Sequence, residues 1–278
     1  MCWARSALAE GNNAQAEWGT MRIDQLLVSR GFASTRSQAQ RLIASGVQWR
    51  SGGAWKRVAK NGDAVAPDAE IDLLDRSEAR FVSRAGLKLE GALQRLGLPV
   101  AGAVCLDLGQ STGGFTDCLL QRAAAHVVGV DVGFGQLHEQ LRSDSRVTCL
   151  ERVNARRLSA RDVRAATDVS VFGADGDAPA FDLIVGDLAF ISQTLVLPAA
   201  APLLKPGGAV LMLVKPQFEL QPGQLGKGGI VTDATLYAAV EQRIRAAHAS
   251  LGLIVQAFFE SSIQGGDGNR EFFVYSIR

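Results

Sequence analysis

Histidine and cysteine, the side chains most used for metal binding and nucleophilic attack, are scarce in this chain of 278 residues, which has three His and four Cys. Cys2, Cys105, Cys118 and Cys149 contain no Cys-x-x-Cys pair and no histidine at a zinc-ligand spacing. Neither a zinc site nor a disulfide framework is expected, no metal ligand is assigned, and a reducing cytoplasm fits the chain. His-Glu-x-x-His, the serine nucleophile elbow and the Walker loop are all absent; Gly226-Lys227-Gly228 lacks the Ser/Thr and the upstream glycine of that loop. His126, His138 and His248 have no carboxylate partner in any motif and are read as structural. Long apolar runs are missing too. The most hydrophobic stretch, 194–214, is broken by Pro198, Pro202, Lys205, Pro206 and two glycines, which argues against a helical membrane span and stable membrane association. Residues 1–20 lack the apolar core of a signal peptide and read as a disordered extension before Met21.

Net charge is also nearly absent, at +1, but it is unevenly distributed. Residues 21–60 hold eight Lys and Arg against the single acid Asp24, 61–79 hold six acids against Arg76, and the remainder is balanced. A hydrophobic fraction of 47% and this length suit one large or two modest domains. In the basic segment, Ile23, Leu26 and Leu27 have helical spacing up to Gly31. Ser34 or Thr35 caps a second helix, with Ala39, Leu42 and Ile43 on one face, that stops at Gly46. Short strands are expected around Val47–Arg50, Trp55–Val58 and Glu70–Leu74, the first two joined by Gly52-Gly53. Arginine-bearing helices on a small sheet resemble an RNA-binding S4 domain, and the charge density favours phosphate contacts. Arg22, Arg36, Arg41, Arg50, Lys56 and Arg57 are the candidate RNA-binding residues.

Beyond the acidic stretch, strands and helices alternate. Ser83 is expected to cap a helix over 84–96 that closes at Gly97. Strands are expected at 104–107, 127–131, 147–150, 181–187 and 209–215, helices at 114–122, 135–141, 192–204 and 234–251, and two last strands near 253–259 and 271–277. This is an α/β pattern: a mainly parallel, Rossmann-like sheet with ligands at the carboxyl ends of its strands. The closing strand pair resembles the hairpin of S-adenosylmethionine-dependent methyltransferases. The first strand runs into Asp107-Leu-Gly109-Gln-Ser111-Thr-Gly113-Gly114-Phe115, a turn that differs from the Gly-x-Gly-x-x-Gly of dinucleotide binders. An acid at its start suits a cofactor with a cationic amino-acid tail. A second acid, Asp131, ends the next strand where ribose hydroxyls bind. S-adenosylmethionine has both parts.

Four more charges fall at chemically active places. Lys88 lies on the helix before the first strand, Asp187 and Lys215 end apolar strands, and Glu271 opens the last one. The loop after Lys215, with Gln217-Phe218-Glu219 and Gly226–Val231, reads as a flexible lid or substrate-contacting element.

From Met21 onward the sequence resembles the TlyA (hemolysin A) family, an S4 domain fused to an FtsJ-like methyltransferase domain. The resemblance rests on Phe81-Val-Ser-Arg-Ala-Gly-Leu-Lys88, the turn at 105–117, Val130-Asp131-Val-Gly-Phe-Gly-Gln-Leu, Glu151-Arg-Val-Asn154, Asp187-Leu-Ala-Phe-Ile-Ser192, Leu213-Val-Lys215-Pro-Gln-Phe-Glu219 and Gly268-Asn-Arg-Glu271-Phe. It implies an S4-like RNA-binding domain and linker over 21–79 and a methyltransferase domain over 80–278. The implied activity is S-adenosylmethionine-dependent 2′-O-methylation of ribose, at a cytidine, in ribosomal RNA or ribosomal subunits.

Lys88, Asp187, Lys215 and Glu271 match the family's catalytic Lys-Asp-Lys-Glu set. Asp107, Gly109, Ser111, Gly113, Gly114, Phe115, Asp131 and Asn154 match its cofactor motifs. A ribose hydroxyl must lose its proton as it attacks, and a lysine can accept that proton only as the neutral amine, which desolvation or a second cation favours. Gln110, Ala85 and Ala189 depart from the family pattern, and Gln110 is expected to crowd the cofactor. Two alternatives stand beside this reading: a ribosome-assembly factor with a vestigial pocket, and a membrane-active hemolysin.

Overall fold

Thr35 and Gly46 frame the second helix of the basic segment: the Thr35 hydroxyl accepts a hydrogen bond from Gln38 N at 3.2 Å, and Gly46, at φ +126°, turns the chain directly into a strand. The computed structural model describes residues 19–75, 79–167 and 181–278. Most of the expected N-terminal extension, 1–18, and the end of the acidic segment, 76–78, lie outside the described residues. The chain divides into two units, Met1–Ala79 and Arg80–Arg278.

In the first unit β1 (Met21–Arg22), α1 (Ile23–Ser29) and α2 (Arg36–Gly46) are followed by β2 (Val47–Arg50), β3 (Lys56–Arg57), β4 (Ala64–Val65) and β5 (Glu70–Leu73). β3, β2 and β5 form an antiparallel sheet, and β1 pairs antiparallel with β4. The core collects Ile23, Leu26, Leu27, Ala39, Leu42, Ile43 and Val47, the residues whose spacing marked the two helices. All four tryptophans of the chain lie at or before Trp55, so the second unit has none.

The second unit begins with α3 (Ala85–Leu96), closed by Gly97 in the left-handed conformation at φ +59°. Then come β6 (Val104–Leu108), α4 (Gly114–Gln121), β7 (His126–Asp131), α5 (Glu139–Arg142), β8 (Val147–Glu151), α6 (Ala160–Ala166) and β9 (Phe181–Gly186). The chain ends with α7 (Leu197–Ala200), β10 (Leu204–Val214), α8 (Pro216–Glu219), α9 (Leu236–Ser250), β11 (Ile254–Glu260) and β12 (Phe272–Ile277). The seven strands are ordered β11-β12-β10-β9-β6-β7-β8, parallel except that β12 runs antiparallel to both β10 and β11. Alternate residues serve opposite faces: Leu106, Leu108, Val128, Val130 and Ile184 pack into one apolar layer, Cys105, Val127, Leu183 and Val185 into the other.

Three local expectations are corrected. Ser83 does not cap α3, whose N-cap is Arg84, with no side-chain hydrogen bond. The helix expected over 135–141 is confined to Glu139–Arg142, because Gly135 takes φ +69°. The helix expected over 192–204 is a succession of short turns. Pro198 and Pro202 each sit in the first turn of a new segment, where the missing N–H of proline is tolerated. Among the described residues no helix is long and apolar enough to cross a membrane.

Candidate active site

The strand order reverses at β6, and there the glycine turn opens a crevice beside β9. Gly109 takes φ +80°, and a Cβ there would stand 2.9 Å from the Asp187 carbonyl oxygen, so turn and β9 touch through backbone alone. Gly114 starts α4 where α3 crowds it: a Cβ would meet Ser83 Oγ at 2.2 Å. Asp131, at the end of β7, ties the glycine turn to the loop that follows β7. Oδ2 accepts from Ser111 N at 2.7 Å and Oδ1 from Gly133 N at 2.7 Å. Each oxygen keeps a further lone pair for a ligand.

A cavity of about 310 Å³ lies here, lined by Gly109, Ser111, Asp131, Asn154, Asp187 and Phe190 among others. Asn154 Oδ1 accepts from Arg156 N at 3.0 Å. A second hollow of about 190 Å³ shares Gly109, Ser111, Asp187 and Ala189 with the first and adds Ala85, Gly114 and Lys215. The two hollows therefore share a wall.

The four charged residues form two ion pairs. Lys88 Nζ lies 2.5 Å from Glu271 Oε2 and Lys215 Nζ lies 2.5 Å from Asp187 Oδ1. Lys88 and Glu271 are buried. Burial pushes the Glu271 carboxyl up from its ordinary value, opposed by Lys88 and then Lys215, with Asp187 acting in the raising direction. All four groups thus share one electrostatic environment.

The predicted cofactor residues divide. Gly109, Ser111, Asp131 and Asn154 line the larger cavity, Gly114 and Phe115 line the smaller, and Gly113 lines neither. Asp107 also lines neither. Its side chain is 1% exposed behind the turn, where Oδ2 accepts from Thr116 Oγ1 at 2.7 Å. Burial pushes its carboxyl up to about 7, the Thr116 hydroxyl opposes this, and the charges of Asp187 and Asp131 add to it. Gln110, expected to crowd the cofactor, is among the residues lining the smaller hollow, is 3% exposed and has its amide against Gly129.

Among the RNA-binding candidates, Arg22 and Arg36 pair with fully buried Asp24 at 3.0 and 2.9 Å. Arg50 pairs with Glu70 at 2.7 Å and lies 4.7 Å from the Trp55 ring. Arg41 is half-buried and partnered, whereas Lys56 and Arg57 are exposed on β3, with Lys56 Nζ 5.3 Å from the Trp49 ring.

Three residues that the sequence marks only as members of motifs take defined places. Phe190 is 91% exposed at φ +62°, a conformation costly for a bulky side chain, and its ring stands 5.3 Å from that of Phe218. Buried Glu219 accepts from Ser192 Oγ at 2.5 Å and Gln193 N at 3.0 Å, and burial raises its carboxyl. Buried Asn269 accepts from Val231 N at 2.9 Å and donates to Gly229 O at 3.1 Å, so the segment expected to be a flexible lid or substrate-contacting element is tied to the residues before Glu271. An apolar–polar alternation carries no signal for these; an Asn two residues before Glu271 and an acid within an apolar stretch were the available cues.

The description "FtsJ-like methyltransferase" matches residues 81–278, and "S4 domain" matches residues 21–46. The chain belongs to the FtsJ-like methyltransferase family. It carries an S4 domain ahead of its FtsJ-like domain, as the first resemblance implied. Among its relatives, the 16S/23S rRNA (cytidine-2′-O)-methyltransferase TlyA of Mycobacterium tuberculosis is 41% identical over 91% of this chain and 88% of that protein. Hemolysin A of Brachyspira hyodysenteriae is 34% identical over 92% of this chain and 100% of its own length. A solved structure of a hemolysin-designated protein from Streptococcus thermophilus has a TM-score of 0.68 and 37% identity, covering 94% of this chain and 89% of that one.

Proposed function

We propose that this FtsJ-like methyltransferase transfers a methyl group from S-adenosylmethionine to the 2′-hydroxyl of a cytidine in ribosomal RNA, with its S4 domain binding RNA. The observation that carries the reading is the pair of ion pairs, Lys88–Glu271 and Lys215–Asp187, with Asp187 and Lys215 lining a hollow that shares a wall with the Asp131 cavity. The cytidine-2′-O-methyltransferase activity by which the Mycobacterium tuberculosis relative is named supports the same assignment.

The residues present fit the cofactor. Asp131, with two carboxylate lone pairs uncommitted, would hold ribose hydroxyls, and Asn154 and Ser111 would hold the adenosine and methionine sides of the larger cavity. S-adenosylmethionine, when bound, supplies an electrophilic methyl group. The protein's part is to align the attacking oxygen and manage its proton. Lys215 Nζ is the group placed to take the hydroxyl proton, a step that requires the amine, and Asp187 orients that nitrogen and pairs with the ammonium that results. Lys88 is the second cation, balanced by Glu271. Phe190, exposed on the cavity rim, offers a face for the target base once it leaves its stack. Arg156, Arg157 and Arg161, exposed just beyond Asn154 and without a carboxylate partner among the described residues, offer phosphate contacts.

The test is methylation of ribosomal RNA and isolated subunits with radiolabelled S-adenosylmethionine, followed by mapping of ribose methylation. Lys215→Met, which preserves side-chain length, should retain cofactor binding while turnover falls by about 10²–10⁴-fold, and Lys215→Arg should not rescue it because guanidinium keeps its proton. Near-normal turnover by Lys215→Arg removes the base role. Absence of any ribose methylation by the parent protein removes the assignment.

A further inference from the structure

Behind the glycine turn lies a polar chain in a layer that is otherwise apolar. Asp107 and Gly129 are register partners on β6 and β7, on the face that Cys105, Val127 and α4 fill with apolar atoms. Gly129 leaves a notch there, and the Gln110 side chain fills it. A Cβ on residue 129 would stand 2.0 Å from Gln110 Cδ, 2.1 Å from its Nε2 and 2.2 Å from its Oε1. Gln110 and Gly129 are therefore sterically matched.

The amide has a partner on one side only. Gln110 Nε2 donates to Thr116 Oγ1 at 2.9 Å, and Thr116 Oγ1 donates to Asp107 Oδ2 at 2.7 Å. A threonine hydroxyl has one proton, so if it is given to Asp107 the bond to Gln110 must be one it accepts, which fixes the amide with Nε2 toward Thr116. Gln110 Oε1 and Asp107 Oδ1 are buried without hydrogen-bond partners in the described structure. A chain held in this way behind Gly109 and Ser111 constrains the wall of both hollows, because residues 107–116 run without a break from the end of β6 through the glycine turn into the first turn of α4.

On the reading that the cavity holds S-adenosylmethionine, we infer that Gln110 is a positioning residue for cofactor binding: seated in the Gly129 notch, its amide orients Thr116 and, through it, the Asp107 carboxylate behind the turn. Its amide occupies the Gly129 notch, and its donor nitrogen is the part that matters.

Gln110→Met keeps most of the volume and removes the donor, so it separates orientation from packing. Calorimetry with S-adenosylmethionine should show affinity about tenfold weaker for Gln110→Met and for Thr116→Val, with the double variant little weaker than either single one. The melting temperature of unliganded Gln110→Met should stay near the parent's, and its KM for S-adenosylmethionine should rise with kcat held. Independently of cofactor, Gly129→Ala should lower the melting temperature by several degrees, and Gly129→Ala with Gln110→Ala should recover most of the loss. Parent-like affinity of Gln110→Met overturns the positioning role and leaves the cofactor assignment standing. A neutral Gly129→Ala overturns the steric match, and a parent protein that binds no S-adenosylmethionine overturns both the inference and the assignment beneath it.

Discussion

Acidification should act on this protein through two buried groups that oppose one another. His248, fully buried in α9 with Nδ1 2.9 Å from Ser276 Oγ, is pushed by burial down to about 4 from an ordinary 6.5. Between those values the unfolded chain binds a proton that the native state refuses, so the neutral imidazole's contribution is present above 6.5 and is lost as the pH falls toward 4. Asp107 has the other sign. Raised to about 7 from 3.8, it holds a proton in the native state that the unfolded chain releases, so its contribution grows as the pH falls through 7.

From about pH 7 to about pH 5 each group changes the unfolding free energy by about 2 kcal/mol, in opposite directions, and the two nearly cancel. The cancellation is removed by mutation. Against the parent, His248→Gln should gain about 2 kcal/mol over this interval and Asp107→Asn should lose about as much, whatever pH-independent cost either change carries. Urea titrations of the full chain at several pH values, followed by far-UV circular dichroism, report both units, with the larger share from the methyltransferase unit. Tryptophan fluorescence reports the other unit, since all four tryptophans lie at or before Trp55. Parallel stability curves for the parent and His248→Gln would refute the buried neutral imidazole.

Further outcomes can be checked separately. Asp131→Ala, which frees the amides of Ser111 and Gly133 as well as removing the carboxylate proposed to hold ribose, should weaken S-adenosylmethionine binding at least tenfold by calorimetry. Lys56→Ala with Arg57→Ala should reduce the slope of log affinity for RNA against log salt by about one to two units with cofactor affinity unchanged. Arg22→Ala is the wrong probe of RNA binding, because it strips a partner from buried Asp24 and should lower the fluorescence-detected unfolding midpoint instead. Phe190→Gly should relieve the left-handed backbone by about 1 kcal/mol in denaturation while slowing RNA methylation, and unaltered turnover would remove the base-stacking role.

The parts of this fold legible in the sequence are those set by local chemistry and repetition. Alternating apolar strands, the Gly97 stop and the Thr35 cap appear where their spacing placed them, because each depends on neighbours a few residues away. The proline-broken stretch at 192–204 was misread because its composition is helical and only the two prolines deny it a continuous ladder. The strand-end charges were legible as positions, whereas their pairing as Lys88 with Glu271 and Lys215 with Asp187 depends on contacts between residues far apart in the chain. The burial of the Gln110 amide was not legible for a related reason: it depends on the notch at Gly129, on the neighbouring strand β7. Paired β1 and β4, two residues each, are too short to carry any period.

The strand order has a kinetic consequence. β6, β7 and β8 are neighbours in sequence and in the sheet, and β9, β10, β11 and β12 form the other half, so the parallel β6–β9 pairing is a seam between two locally connected halves. Gly109, Ser111, Asp131 and Asn154 belong to one half and Asp187, Lys215 and Glu271 to the other. Long-range parallel pairing is slow to form because loop closure precedes its reward. Cofactor-binding competence should therefore be the last property recovered on refolding, trailing the return of secondary structure.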